Sequence, residues 1–265
     1  MNNSDALMDR LVSSPACIPQ WQLDDVLTAY AEMGFRQFEA FSSWCKSALD
    51  PAADPKSYLS QAREYGISIT SFHLPPINGK DYEATFKRAV AASRFAQELG
   101  AEAVLFKADT RETYIRAGRP YLDAIDAQNI RVTPVLQNHK GQAISTLDDF
   151  REVIEGINDL RMKTLLEVGH FHRVGVKWRE GYDLLKGSIA LVHINEINAA
   201  GQSVPYGTGE VDFTGLFSRL AKDEYGGKIV VELELATRDQ DPQRTIQCLK
   251  DGINHLQQCW PEEWR

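Results

Sequence analysis

Glu167, His193 and Glu232 each interrupt a run that is otherwise apolar, in "LLEV", "LVHINE" and "VVELEL". Burying a carboxylate or an imidazole in such a run is costly unless the group is paired or bound to a metal, because the charged form loses its hydration. Neutral residues would be cheaper there, so the three together point to a divalent cation. Mixed oxygen and imidazole donors suit manganese, zinc, cobalt or iron better than calcium, with magnesium also open. Residues of the same chemical kind close neighbouring apolar runs: Glu39 in "FEAF", His73 in "SFHL", Lys107 in "LFKA", and Gln137 with His139 in "VLQNH". His170 follows Glu167 by three residues, and Glu234 follows Glu232 by two. Any one of these reads as a solvated or hydrogen-bonded loop residue. Their recurrence at the ends of successive runs is what implies a shared pocket.

The runs that must position them have the composition of buried strands: 11–16, 35–41, 67–74, 103–108, 131–138, 163–168, 189–196 and 228–235. Most are rich in Val, Ile, Leu and Phe on both faces, as a parallel sheet requires. Amphipathic helical patterns lie between them. In 81–100, Phe86, Val90, Ser93, Ala96 and Leu99 share one face and Gly100 ends the helix. Thr146 and Asp149 stand at capping-box spacing before "FREVIEGI", and Asp241 with Pro242 opens a stripe of Ile246, Leu249, Ile253 and Leu256. The stretches 22–34 and 211–222 behave in the same way. No Gly-x-Gly-x-x-Gly follows an early strand, which removes the commonest reason for an open doubly wound sheet. Strand and helix count fit an α/β fold of the (β/α)8 TIM-barrel type, which typically takes roughly 250 residues. No linker or low-complexity segment divides the chain, so residues 1–265 are expected to form a single barrel domain.

Composition is that of a globular protein, with 43% hydrophobic and 25% charged residues. The net charge of −8 argues against a nucleic-acid partner, which needs an excess of Lys and Arg on some face. Arg111, Arg116 and Arg119 come nearest to a basic run and read as a solvated helix face. Cys17, Cys45, Cys248 and Cys259 form no Cys-x-x-Cys pair and read as reduced thiols. The amino terminus lacks an apolar core, and no run approaches the roughly 20 residues that span a bilayer. A soluble, cytoplasmic protein is the expectation.

The chain also resembles the xylose isomerase-like barrels, a group of sugar-phosphate isomerases and epimerases, ketose 3-epimerases, inosose-processing enzymes and endonuclease IV-type repair enzymes. The resemblance is carried by "QNH" (137–139), "EVGHFHRVG" (167–175), "HINE" (193–196), "GTGEVDF" (207–213) and "EYGGKIVVE" (224–232). Members commonly show "E-N-H", "D-x-G-H-x-x-x-x-G", "H-x-x-D", "G-x-G-x-x-D/N-[FW]" and "G-Y-x-G-x-[ILV]-x-[ILV]-E" in the same order. The resemblance implies metal ligation at Gln137, Glu167, His193 and Glu232. It also implies that His170 and His73 contact substrate oxygens. Two positions depart from the pattern. Glu167 stands where Asp is usual, which lengthens the arm and keeps the charge. Gln137 stands where Glu is usual; an amide oxygen can ligate a hard cation but accepts no proton at neutral pH.

Members that epimerise ketoses use two metal-bound glutamates, one on each face of the substrate. With Gln137 in one of those places, Glu232 remains as the base, and one-base chemistry is expected: aldose–ketose isomerisation through an enediol, or β-elimination beside a carbonyl; two-base epimerisation requires Glu234, His139 or His73 to replace the missing acid. Residues i and i+2 of a strand share a face, so Glu234 competes with Glu232 for the role. Glu232 is preferred for its position after "GGKIVV". Lys107 reads as an oxyanion or carboxylate binder or a salt-bridge partner, and Glu39 as an orienting group. Trp44 and Trp178 stack on a sugar or pack, and "GTG" cradles phosphate or makes a positive-φ turn. The expected protein is a divalent-metal-dependent isomerase or epimerase of a small sugar, inosose or keto-glycoside, assembled as a homo-oligomer, with "CWPEEWR" docking on a neighbouring subunit. A lyase or dehydratase with the same site and a catalytically silent sugar-binding barrel or enzyme subunit are the alternatives. Endonuclease-type repair lacks the further His and Asp and the basic face it needs.

Overall fold

The structure is a computed structural model that describes residues 3–235 and 241–264. Eight parallel strands close into a barrel in chain order. They are β1 (Leu11–Ser13), β2 (Gln37–Phe41), β3 (Ser68–His73), β4 (Ala103–Leu105), β5 (Thr133–Gln137), β6 (Lys163–Glu167), β7 (Ile189–Ile194) and β8 (Lys228–Val231). The barrel is closed by β1 pairing with β8, where Leu11 opposes Ile229 and Ser13 opposes Val231. Around it run α1 (Asn3–Met8), α2 (Leu23–Glu32), α3 (Pro55–Glu64), α4 (Tyr82–Glu98) and α5 (Arg111–Ala127). They are followed by α6 (Leu147–Ile157), α7 (Val168–His172), α8 (Trp178–Leu185), α9 (Phe213–Lys222) and α10 (Pro242–Gln258).

The expected cap chemistry is present. Thr146 and Asp149 form a reciprocal capping box at α6, and Asp241 accepts from the amides of Gln243 and Arg244 at α10, whose first helical residue is Pro242. Residues 238–240 of the α10 stretch lie outside the described residues. Several strand runs read from sequence overshoot at their carboxyl ends. Ser14–Ala16 leave the ladder because Pro15 opens a 3-10 turn capped by the Ser14 hydroxyl, and Glu232–Leu235 continue beyond β8 into a turn.

The interior of the barrel explains how a polar site can end an apolar cylinder. Val12, Leu105, Val135, Leu165, Leu191 and Val230 form one dry layer. Side chains alternate across a strand, so the residues two further along face the same way, one layer nearer the carboxyl-terminal mouth. Those residues are Ser14, Lys107, Gln137, Glu167, His193 and Glu232. One step of the pleat therefore converts a hydrocarbon layer into a reactive one. The other core lies between barrel and helices, where Phe38, Phe72, Val104, Leu136, Leu166 and Ile229 meet the helical stripes.

Several surface expectations resolve at this level. Arg116 and Arg119 are exposed and Arg111 half-buried, as a solvated helix face requires, and from that face Arg111 pairs with Asp149 and Glu152, Arg119 donates to the carbonyls of Ile157 and Asn158, and Arg116 stacks on Tyr82. Trp260 and Trp264 pack on Phe217, and Arg10 lies over the Trp264 ring, so the carboxyl-terminal stretch docks on its own barrel. The four cysteines are free thiols. Among the described residues no helix is long and apolar enough to cross a membrane.

Candidate active site

At the mouth of the barrel, Glu167, His193 and Glu232 bring one donor atom each within 4.8 Å of one another, all three buried. His193 Nδ1 lies 3.1 Å from Glu167 Oε2 and 3.4 Å from Glu232 Oε2. Neither contact has the alignment of a hydrogen bond, and both His193 Nδ1 and Glu167 Oε1 are left without a hydrogen-bond partner. Buried polar atoms are almost always satisfied, so two atoms in one cluster without a partner among the described residues mark a place built for something else. Gln137 stands beside them and donates from Nε2 to Glu167 Oε2 at 3.4 Å. Half a turn of that amide exchanges the nitrogen for its oxygen.

The electrostatics say which charge the cluster wants. Burial alone would lower His193, but Glu39, Glu232 and Glu167 outweigh it and hold the imidazole well above its usual range. Burial pushes Glu167 up to about 7, with the neighbouring Glu232 adding to the rise. Glu232 is also disfavoured by burial, yet the facing His193 brings its carboxyl below the ordinary value. In the protein alone, a proton on His193 supplies the positive charge these carboxylates require. Unpartnered oxygen and imidazole donors around a site that wants positive charge fit a divalent cation. Glu167, His193 through Nδ1, Glu232, and Gln137 through its oxygen are the residues that would hold it.

A second acid–histidine cluster shares the same imidazole. Glu39 of β2 accepts from Ser71 Oγ at 2.8 Å, from His73 Nε2 at 2.8 Å and from His193 Nε2 at 3.1 Å. Lys107 Nζ in turn donates to His73 Nδ1 at 2.8 Å. The donors run in one direction, from Lys107 to His73 to Glu39, with His193 meeting Glu39 from the other side. Both Glu39 oxygens are thus engaged. Burial is again the first effect on that carboxyl, but His193 and His73 hold it well below the usual carboxylate range. Burial and Lys107 push His73 down to about 4, and burial brings Lys107 down to about 8. The carboxylate therefore fixes His193 with Nδ1 turned toward Glu167 and Glu232, the usual way a ligating histidine is oriented.

Above these groups opens a cavity of about 360 Å³ lined by His73, Lys107, Gln137, His170, Glu232 and Glu234, among others. Every residue singled out from sequence as catalytic or metal-binding lies at this mouth: Gln137, Glu167, His193, Glu232, His170, His73 and Lys107. Glu232 and Glu234 differ in their contacts. Glu234 accepts from Arg173 Nη2 at 2.6 Å and from Asn195 Nδ2 at 3.2 Å, whereas among the described residues Glu232 Oε1 meets the Ser14 hydroxyl at 3.3 Å. His170 belongs to the short helix α7, which begins directly after β6. Arg173 Nη1 donates to its Nδ1 at 3.3 Å, and burial with the nearby His139 and Arg173 keeps the ring well below the usual imidazole range. A neutral ring accepting at Nδ1 carries its proton on Nε2. His172, two residues on, points elsewhere and pairs with Glu210.

Sequence reading missed Ser14, Ser71, Arg173 and Asn195, which hold the charged groups in place. Ser71 had a signal, since it shares a strand face with His73; the other three had none. The two tryptophans separate: Trp178 is buried in α8 against Tyr182, while Trp44 lines the cavity mouth. Trp44 also has φ of 78°, a conformation that costs a bulky residue roughly 1–3 kcal/mol. The "GTG" turn needs no phosphate. Gly207 has φ of 84°, and Glu196 accepts from the amides of Gly207 and Val211.

This fold is that of a known class. The chain belongs to the xylose isomerase-like TIM barrel family, whose model matches residues 27–258. It is 22% identical over 274 residues to the inosose dehydratase of Mesomycoplasma hyopneumoniae, covering 88% of this chain and 87% of that protein. Among solved structures, the IolI protein with a binding zinc atom superposes with a TM-score of 0.76 at 15% identity, over 96% of this chain and 99% of the other. The 3-keto-D-glucoside 4-epimerase YcjR from E. coli gives 0.74 at 16% identity, over 94% and 99%. At these identities the structural likeness establishes the fold.

Proposed function

We propose that this protein is a divalent-metal-dependent isomerase or epimerase that removes a proton next to the carbonyl of a keto-sugar, inosose or keto-glycoside. The observation that carries the reading is the asymmetry of the mouth. Glu232 presents a carboxylate to the cavity with Oε2 facing the cation cluster and Oε1, among the described residues, accepting from the Ser14 hydroxyl alone. The place across from it is taken by Gln137, which accepts no proton. A cation held by Glu167, His193, Glu232 and Gln137 would polarise the substrate carbonyl and so acidify the adjacent C–H. IolI binding zinc, and relatives acting on an inosose and a 3-keto-glucoside, support the same assignment.

In this reading Glu232 Oε1 takes the proton, and the electron pair left on carbon shifts toward the carbonyl oxygen to give an enediolate. Return of that proton to the former carbonyl carbon, with the adjacent hydroxyl passing its own proton to the former carbonyl oxygen, completes isomerisation on a single face. His170, neutral and carrying its proton on Nε2, donates to a substrate oxygen. Lys107, whose ammonium keeps donors beyond the one given to His73, positions a second oxygen, and His73 holds that ammonium in place.

A second reading keeps this first half and ends in β-elimination. Lys107 favours it: a buried ammonium brought down to about 8 is an acid suited to protonating a departing hydroxide or alkoxide. The C–O bond then breaks, its electrons leave with oxygen, and the new double bond conjugates with the carbonyl. A screen of keto-sugars, inososes and keto-glycosides in deuterated water tests both. Deuterium incorporated beside the carbonyl at unchanged carbon skeleton is the result expected of isomerisation, and loss of water or of an aglycone marks elimination. Absence of exchange, of isomerised product and of eliminated water or aglycone from every substrate with metal supplied would exclude proton abstraction altogether.

A further inference from the structure

The cavity is larger than its reactive floor needs. A single six-membered sugar ring with its hydroxyls, at roughly 15 Å³ per non-hydrogen atom, fills about half of a space of about 360 Å³. Beyond the reactive cluster the lining turns largely apolar, with Phe41, Trp44, Pro76, Tyr114 and Ile144 beside the polar Ser42, Ser43, His139 and Gln142. Phe41 is stacked on His73 at 3.7 Å between ring centroids, so the apolar part begins directly beside the polar one. Trp44 follows at 5.9 Å from Phe41 and remains 60% exposed.

Trp44 is the residue that needs explaining. Besides it, the non-glycine residues with positive φ among the described residues are Asn129, Asn158 and Glu224, which sit in the turns that end α5, α6 and α9. Trp44 ends no helix. Its loop is tied down, with Leu49 N donating to Phe41 O at 2.8 Å and Lys46 N to Pro19 O at 2.8 Å. The fold thus holds an aromatic ring in an unfavourable backbone conformation at the mouth, without the compensation of burying it. Strain kept at a site edge while the side chain stays in water is accounted for when a ligand supplies the missing contact.

We infer that the outer half of the cavity is an aglycone subsite, in which an aromatic or similarly flat apolar group attached to the sugar stacks on Trp44 beside Phe41. The preferred substrate is then a keto-glycoside and not a free monosaccharide. This rests on the keto-sugar reading of the floor and extends it outward.

Calorimetric titration of the full-length protein with phenyl β-D-glucopyranoside and methyl β-D-glucopyranoside, in the presence of zinc, tests it. The phenyl glycoside binds about tenfold more tightly or better, from one added ring stack. Trp44→Ala removes that preference and leaves the methyl glycoside unchanged, while Trp44→Phe keeps it within about threefold. Because Trp44 is exposed, the alanine variant keeps its core; a circular dichroism spectrum matching wild type confirms that. Equal binding of the two glycosides, binding of neither, or an alanine variant that weakens both alike overturns the subsite. Neither glycoside carries a ketone, so the outcome is independent of deuterium exchange and separates a failed subsite from a failed proton abstraction.

Discussion

Two acid–histidine clusters meet at His193, and they differ in one respect. Around Glu39, every carboxylate lone-pair direction that matters already has a donor: Ser71, His73 and His193. Around Glu167 and Glu232, the same imidazole offers Nδ1 to two carboxylates without completing a hydrogen bond, and Glu167 Oε1 has no donor. Residue types are nearly the same in both, and both could be listed as metal sites on composition. Hydrogen-bond saturation separates them. A closed cluster orients; an open one binds. The barrel places the closed cluster on the β2–β3 side, where it braces the imidazole that the open cluster uses.

The largest effect expected from this contrast is on turnover. Glu232→Gln retains fold and shape but removes the proton acceptor, and kcat for the proton-transfer step falls by about 10²–10⁴. Stopped exchange in deuterated water with an unchanged circular dichroism spectrum is the check; Glu234→Gln, by comparison, leaves exchange within about tenfold, because its partners are Arg173 and Asn195. Next comes metal affinity. Glu167→Gln, in the open cluster, weakens metal binding by more than Glu39→Gln, whose effect through His193 is about 10–100-fold. Competition with a chromophoric chelator measures both, and equal losses would break the distinction between binding and orienting.

A smaller effect concerns pH. Glu167 is pushed up to about 7 in the metal-free protein and must be deprotonated to ligate. Apparent metal affinity therefore rises with pH through about 7 and goes on rising above it, because the His193 imidazole, held well above its usual range, must also lose its proton to ligate; the slope is about tenfold per unit for each proton displaced. Titration in buffers of different ionisation enthalpy reads the released protons directly. Gln137→Glu is expected to sharpen the comparison least in energy but most in chemistry. It adds a charged ligand and a second proton acceptor, raising metal affinity by about tenfold and opening exchange on the opposite substrate face.

How far this could be read from sequence depended on what each residue must do alone. Strand positions announced themselves because buried parallel strands need unbroken apolar runs, and Glu167, His193 and Glu232 stood out as interruptions. The ends of the runs were harder. Glu232–Leu235 look like four more residues of β8, yet the ladder stops at Val231 so that the chain can turn across the mouth. "VGHFH" was ambiguous for a similar reason: it forms the one-turn helix α7, which puts His170 in the cavity and His172 on Glu210. Glu39 was legible as an orienting residue. What it orients, and the direction of the bonds from Lys107, depend on contacts between strands far apart in sequence. Arg173 and Ser14 are ordinary loop residues until the barrel closes.

The central claim is that the cation belongs to the open cluster. Anomalous scattering from crystals grown with zinc or manganese tests it most directly. A peak within bonding distance of Glu167, His193 Nδ1 and Glu232, with the Gln137 amide turned to present oxygen, is the result expected. A peak between Glu39, His73 and His193 Nε2, or none at either place with metal in excess, would contradict it.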